Sequence, residues 1–319
     1  MATRRHLLQL LTLSMAVSGA GILHAQNYPQ RTIRIVTNQP GAGFDYAARV
    51  IAQGIAGPLG QQVIVDNRPG NIIPAEIVAK APPDGYTILF NGPALWIGAL
   101  VQKMPYDPVA DYVPITAVTS APAVLVVHPS VPAKTVRELI ALAKAKPGQL
   151  NYASTAIGST SHLGAELFKY MAHVDIVHIP YKSAVAITDL IAGQVQMMIT
   201  PPTGVVQHIK SGKLRALAVT SAEPSALVPG LPTVASAGLP GYEAVSVLGL
   251  FGPAKMPDAI VRKLNQEIVR FLNTEEAKKK FLDVGAETFG SSPEQFGAII
   301  KRDMERLGKM IKEVGIRVD

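Results

Sequence analysis

Between residues 32 and 220, short apolar runs of strand length alternate with segments whose apolar residues recur at helical spacing. Runs rich in Val, Ile, Leu and Thr occupy residues 32–38, 62–66, 86–90, 124–128, 150–154, 175–179, 195–200 and 214–220. Helical spacing marks residues 45–55, 161–170 and 186–191. A further helix is capped near Thr135, carries Val136, Leu139, Ile140, Leu142 and Ala143 on one face, and ends at Pro147-Gly148. Strands covered by helices on both faces read as continuous apolar runs. The alternation predicts an α/β fold of doubly wound parallel sheets. Two units repeat the same layout of strand, small-residue loop and helix, at residues 32–55 and 150–170. They predict two comparable lobes with a cleft between them. Residues 258–272, 274–283 and 293–314 read as amphipathic helices, the last opened by Ser292-Pro293-Glu294-Gln295.

Upstream of the first strand stands a different kind of segment. Arg4 and Arg5 precede an uncharged run from Leu7 to Gly21, and Leu23-His24-Ala25 offers a small residue for cleavage. This is the layout of a signal peptide over residues 1–25, with a run shorter than the roughly 20 residues a spanning helix needs. Removing it leaves 28 basic and 23 acidic side chains, so the formal charge falls from +7 to +5. That excess is dispersed, so it does not point to nucleic acid. The chain has no cysteine. This excludes disulfides, thiolate metal sites, a Cys nucleophile and an acylated N-terminal Cys. The expectation is a diffusible exported protein retained in a periplasm.

In open α/β sheets the ligand sits at the C-terminal ends of strands, where helix starts present unpaired N–H groups and a positive dipole end. Two loops fit. The first is Pro40-Gly41-Ala42-Gly43-Phe44-Asp45. The second is Ser154-Thr155-Ala156-Ile157-Gly158-Ser159-Thr160-Ser161-His162, rich in hydroxyls. Facing each other, they make a carboxylate clamp that needs no Arg. Each loop taken alone also reads as an ordinary strand-to-helix turn, and Asp45 as a helix cap.

Other chemistries are less well supported. Gly41-x-Gly43 opens a helix as a dinucleotide fingerprint does, with Asp66 at the next strand end, but Tyr46 stands where Gly or Ala is needed. No cofactor is expected. Gly158-Ser159-Thr160-Ser161 is not a nucleophile elbow. His128, His162, His173, His178 and His208 form no ligand pair at metal-binding spacing. An exported hydrolase using Ser159 or Ser161 remains as the alternative from the enzyme class. The reading favoured is a binding protein that performs no catalysis.

An ordered set of motifs runs through the chain from Tyr28. It includes Pro40-Gly41-x-Gly43-x-Asp45-x-x-Ala48-Arg49, Asn67-Arg68-Pro69-Gly70 and Pro83-Asp84-Gly85-Tyr86-Thr87. Tyr106-Asp107-Pro108, Pro147-Gly148-x-Leu150-Asn151-Tyr152 and Gly158-Ser159-x-Ser161-His162-Leu163 follow. Pro180-Tyr181-Lys182, Gly193-Gln194-Val195, Ser211-Gly212-Lys213-Leu214-Arg215 and Leu231-Pro232-Thr233 complete it. In these the chain resembles the Bug-type (TctC-like) receptors, periplasmic solute-binding proteins of tripartite tricarboxylate transporters.

The resemblance implies a Venus-flytrap fold. Residues 26–124 plus 246–319 would form lobe one with the C-terminal helices, and residues 125–245 an inserted lobe two. It implies a monomer that binds a small organic carboxylate through Ala42, Gly43, Phe44 and Asp45 on one side. Ser154, Thr155, Ile157, Gly158, Ser159, Thr160, Ser161 and His162 would lie on the other, with Tyr181, Thr200 and Pro201 as wall residues. Membrane transporter subunits, or a sensor kinase, would be the partner. Departures from the family pattern fall at Asn71-Ile72-Ile73-Pro74, Pro93-Ala94-Leu95, Val247-Leu248 and Leu307. They make the cleft more apolar and favour an aromatic or otherwise hydrophobic carboxylate.

Overall fold

The computed structural model describes residues 28–40, 43–155, 159–181 and 185–316. The expected signal segment, Ala42, Ile157 and Gly158 lie outside them. Lobe one is built on β1 (Ile33–Thr37), β2 (Val63–Asn67), β3 (Thr87–Asn91), β4 (Tyr112–Pro122), β10 (Val245–Pro253) and β11 (Glu287–Thr288), in the order β11-β4-β10-β3-β1-β2. Lobe two is built on β5 (Val124–Val127), β6 (Asn151–Ser154), β7 (Val177–Pro180), β8 (Met197–Thr200) and β9 (Arg215–Val219), in the order β7-β6-β8-β5-β9.

Both sheets are mixed, which refines the expectation of parallel sheets. β1 is parallel to β2 and β3, and β6 is parallel to β7 and β8. β10 is antiparallel to β3 and β4, and β5 is antiparallel to β8 and β9. The antiparallel strands belong to the two passages between lobes. β4 is followed after Ala123 by β5, and β10 brings the chain back alongside β4. A strand arriving from the other lobe needs no helical crossover, so nothing obliges it to run parallel.

The sequence reading did not identify β4 and β10, because Pro114, Gly249, Gly252 and Pro253 interrupt their apolar pattern. The ladder between them slips at Leu248/Gly249 and at Leu250/Phe251. Gly249 is required there by close approach: a Cβ would collide with the Phe296 ring and lie 2.7 Å from the Thr116 carbonyl oxygen.

The helices are α1 (Gly43–Leu59), α2 (Ile72–Ala79), α3 (Gly98–Val101), α4 (Val136–Ala145), α5 (Thr160–Ala172), α6 (Val185–Ile191), α7 (Val206–Lys210), α8 (Asp258–Leu272), α9 (Glu275–Leu282) and α10 (Pro293–Val314). The predicted caps form. Thr135 Oγ1 accepts from the Glu138 N–H at 3.2 Å, and Ser292 and Gln295 make a reciprocal capping box. α8 turns Ile260, Leu264 and Ile268 onto a core shared with Ile35, Ile51 and Ile55. On the sheet's other face α10 buries Phe296 against Phe251 and Trp96, with Trp96 fully buried and its ring 6.2 Å from each of the other two. Each such apolar side chain contributes roughly 1.5–3 kcal/mol. The C-terminal helices therefore anchor lobe one, while α10 also packs on α5 of lobe two.

Candidate functional site

A cavity of about 510 Å³ opens where the strand ends of both sheets approach each other. Lobe one contributes Phe44 from the first turn of α1, Asn71 and Ile72 from the start of α2, and Pro93 and Ala94 after β3. Lobe two contributes Ser159, Thr160 and Leu163 from the start of α5. Ala244, Val245 and Ser246, where the chain re-enters lobe one, lie between them, and α3 and α10 supply the rest of the wall. The starts of α1 and α5 thus border one space, and each turns the positive end of its helix dipole toward it.

The second loop is held by its own hydroxyls. Ser159 is the N-cap of α5, its Oγ accepting from the His162 N–H at 3.3 Å. Its Oγ also lies 2.9 Å from Ser161 Oγ. Ser161 Oγ accepts from the Thr155 N–H at 3.1 Å. These bonds give the serines a shaping role, and among the described candidates from this loop Ser159 and Thr160 line the cavity.

The remaining candidates fall elsewhere. Asp45 accepts from Arg49 Nε at 2.8 Å and Asn67 Nδ2 at 3.0 Å, tying α1 to the end of β2. Gly43 begins α1, and a Cβ on it would meet nothing within 4 Å. The Tyr181 hydroxyl donates to Asp189 at 2.8 Å. Thr200 is buried in β8 opposite Val124, and Pro201 is exposed at the head of a 3₁₀ turn, Pro202–Gly204. None of these five is among the cavity-lining residues.

Ser154, His162 and Tyr152 belong to a buried network behind the α5 start. Ser154 Oγ lies 2.7 Å from His178 Nε2, and His178 is stacked between Tyr152 and His162 with ring centroids 4.7 and 4.4 Å away. Glu166 accepts from the Tyr152 hydroxyl at 2.5 Å and from Lys169 at 2.7 Å. Burial first, and the adjacent His162 second, push the His178 imidazole down to about 4. Burial also lowers His162. Between pH 6.5 and about 4 the unfolded chain takes up a proton that folded His178 refuses, so stability falls as pH drops through that window and levels below it. We expect the melting temperature of His178→Asn to decline less than that of the parent over this range. Identical declines in pH-dependent melting curves would refute the assignment.

Of the departures read from the sequence, Asn71, Ile72, Pro93, Ala94 and Leu307 line the cavity, whereas Ile73, Pro74, Leu95, Val247 and Leu248 are not among its lining residues. Sequence reasoning missed Ile97, Val101, Met104 and Leu163, and the pairs Glu243–Arg302 (3.2 Å) and Asp303–Arg306 (3.3 Å) that bring Glu243, Asp303 and Arg306 to the wall. The four-residue α3 has no side-chain cap to announce it. Among the described residues no cluster of three or more His, Asp or Glu is arranged to hold a metal, and no helix is long and apolar enough to cross a membrane.

Comparison with known proteins gives this cleft its setting. Residues 47–316 match the sequence model of a family described as "Tripartite tricarboxylate transporter family receptor" (TctC). The chain belongs to that receptor family. The family comprises solute-binding receptors, and solved members include proteins described as periplasmic. The structure of R. palustris Rpa4515 with adipate is 35% identical, covers 91% of this chain and 99% of its own, and superposes with a TM-score of 0.70. MatC from Rhodopseudomonas palustris with bound malate is 29% identical over 89% and 100% of the two chains, with a TM-score of 0.65. A TctC solute-binding protein from Polaromonas, with no ligand, is 25% identical over 90% and 100%, yet reaches 0.82. The backbone of this TctC-family receptor is therefore nearer to the ligand-free relative than to the two liganded ones, against the order of sequence identity.

Proposed function

We propose that this chain is a periplasmic receptor that captures a small organic carboxylate between its lobes and delivers it to the membrane subunits of a tripartite tricarboxylate-type transporter, without catalysing a reaction. The observation that carries this reading is the convergence of the α1 and α5 starts on one cavity between two sheets. Helix starts bind anions without a cationic side chain. Adipate and malate in two relatives support a carboxylate as that anion. The closer fit to the ligand-free Polaromonas backbone supports an open cleft, and lobe closure on binding would then be a hinge motion carried by β4 and β10.

The hydrolase alternative gains nothing from the geometry. The Ser159 and Ser161 hydroxyls are engaged in shaping the loop, and Ser154, which contacts half-buried His178, is itself fully inaccessible. Calorimetry over a carboxylate panel, with small-angle scattering for compaction, tests the proposal. Binding accompanied by a smaller radius of gyration is expected, and neither effect with any carboxylate would end it. Deleting the gene and comparing carboxylate uptake with transcription separates transport from signalling to a sensor kinase.

Gly43 provides a further check. In a helix the Cα–Cβ bond tilts toward the N-terminus, so a side chain added here enlarges the open α1 start next to Phe44, which lines the cavity. Because nothing else occupies that space, Gly43→Val is expected to melt as the parent does and to bind at least about tenfold more weakly, the equivalent of roughly 1.4 kcal/mol. Unchanged affinity would remove the first loop from the site.

A further inference from the structure

We infer that the preferred ligand is a monocarboxylate with an apolar body, aromatic or aliphatic, and not a dicarboxylate; this rests on the carboxylate reading above. Away from the helix starts, apolar side chains reach the wall from both lobes and from α10, beside polar Gln102 and Ser246. Ile72, Pro93, Ala94 and Ile97 come from lobe one, Leu163 from lobe two and Leu307 from α10. Phe44 stands at the junction of the two regions. Its ring meets Phe90 edge-on at 6.1 Å and is itself half-buried, which leaves part of the ring available to a ligand. The cavity's volume, about 510 Å³, lies inside the range of roughly 300–1,000 Å³ that holds drug-sized molecules, so a six-membered ring fits beyond the carboxylate.

Charge on the wall points the same way. Among the described lining residues the charged side chains are Glu243, Asp303 and Arg306, two acids to one base. Arg306 is the only cation among them, and it is bound to buried Asp303 at 3.3 Å. Its Nε is buried with no hydrogen-bond partner in the protein. A second ligand carboxylate approaching that nitrogen would lie beside buried Asp303, which already holds Arg306 through its terminal nitrogen, and would also face Glu243, so it meets two like charges for one cation. Glu243 is in turn held by Arg302 at 3.2 Å. An apolar group meets no such penalty, and each methylene it buries adds affinity.

Calorimetry with phenylacetate, heptanoate, adipate, malate and the neutral isostere phenylacetamide tests this. Phenylacetate or heptanoate is expected to bind at least tenfold tighter than either dicarboxylate, and phenylacetamide at least tenfold weaker than phenylacetate. Adipate or malate equal to or tighter than both monocarboxylates overturns the inference while leaving the carboxylate reading intact. Phenylacetamide matching phenylacetate overturns the carboxylate reading and the inference with it. Leu307→Lys, checked for folding by circular dichroism, adds a cation to the half-buried wall and is expected to narrow the gap between phenylacetate and adipate tenfold or more. An unaltered gap in the folded variant would take the α10 wall out of contact with the ligand and overturn the assignment.

Discussion

Thr160→Asp is expected to remove carboxylate binding while the fold keeps or slightly gains stability. Thr160 is the first residue of α5, exposed at the cavity and next to the N-cap Ser159. An acidic side chain in a first helical turn interacts favourably with the dipole, by about 0.3–1 kcal/mol. The same charge would compete with the ligand for that helix start and repel it. At about 4 Å and an effective dielectric constant near 20, two like charges repel by about 4 kcal/mol, close to three orders of magnitude in affinity. Thr160→Asn, similar in size and uncharged, is expected to lose less than about tenfold. Calorimetry with the tightest carboxylate found and thermal melting give the two readouts. Loss of binding together with loss of stability would indicate simple damage. Retained binding would show that the α5 start is not where the anion sits.

Trp96→Ala is expected to cost the largest share of stability of any single substitution considered for this receptor, about 3–5 kcal/mol. It is the chain's only tryptophan, 0% exposed, with its indole against Phe251 of β10 and Phe296 of α10. Removing it leaves a cavity at the point where the re-entering strand, the last helix and the segment after β3 meet. That segment is a tight turn, with the Leu95 N–H donating to the Gly92 carbonyl at 2.9 Å and the Ile97 N–H to the Pro93 carbonyl at 2.7 Å. Pro93, Ala94 and Ile97 on it line the cavity between the lobes. Weaker ligand binding should therefore accompany the lost stability, and Trp96→Phe, which keeps an aromatic ring in place, should restore part of both. Urea titration followed by circular dichroism measures this. A loss below about 1 kcal/mol would mean that the surrounding side chains collapse into the space.

Much of the fold was legible because its signals are local. Buried strands such as Val124–Val127 announce themselves by β-branched runs, and α4 and α10 by their caps at Thr135 and Ser292. The starts of α1 and α5 were equally legible, as small-residue loops between strand and helix. β4 and β10 were not. Their glycines and prolines suit a bulged antiparallel pair whose partner lies more than a hundred residues away, and a close approach of Phe296 explains Gly249 better than any neighbour in sequence does. The roles within the second loop were also hidden. Ser, Thr and His in series suggest ligand contacts, yet Ser161 supports the loop backbone and His162 stacks on His178.

By itself the sequence determined that this chain would form two α/β lobes with anion-competent helix starts, since hydrophobic periodicity, capping residues and ordered motifs are written in neighbouring positions. The tertiary structure alone decided what surrounds those helix starts. Phe44, Leu163, Glu243 and Leu307 come from four distant parts of the chain and meet at one cavity. Their meeting follows from β4 and β10 crossing together between the lobes and from α10 packing over both. Such contacts depend on which surfaces bury each other, and no run of adjacent residues encodes them.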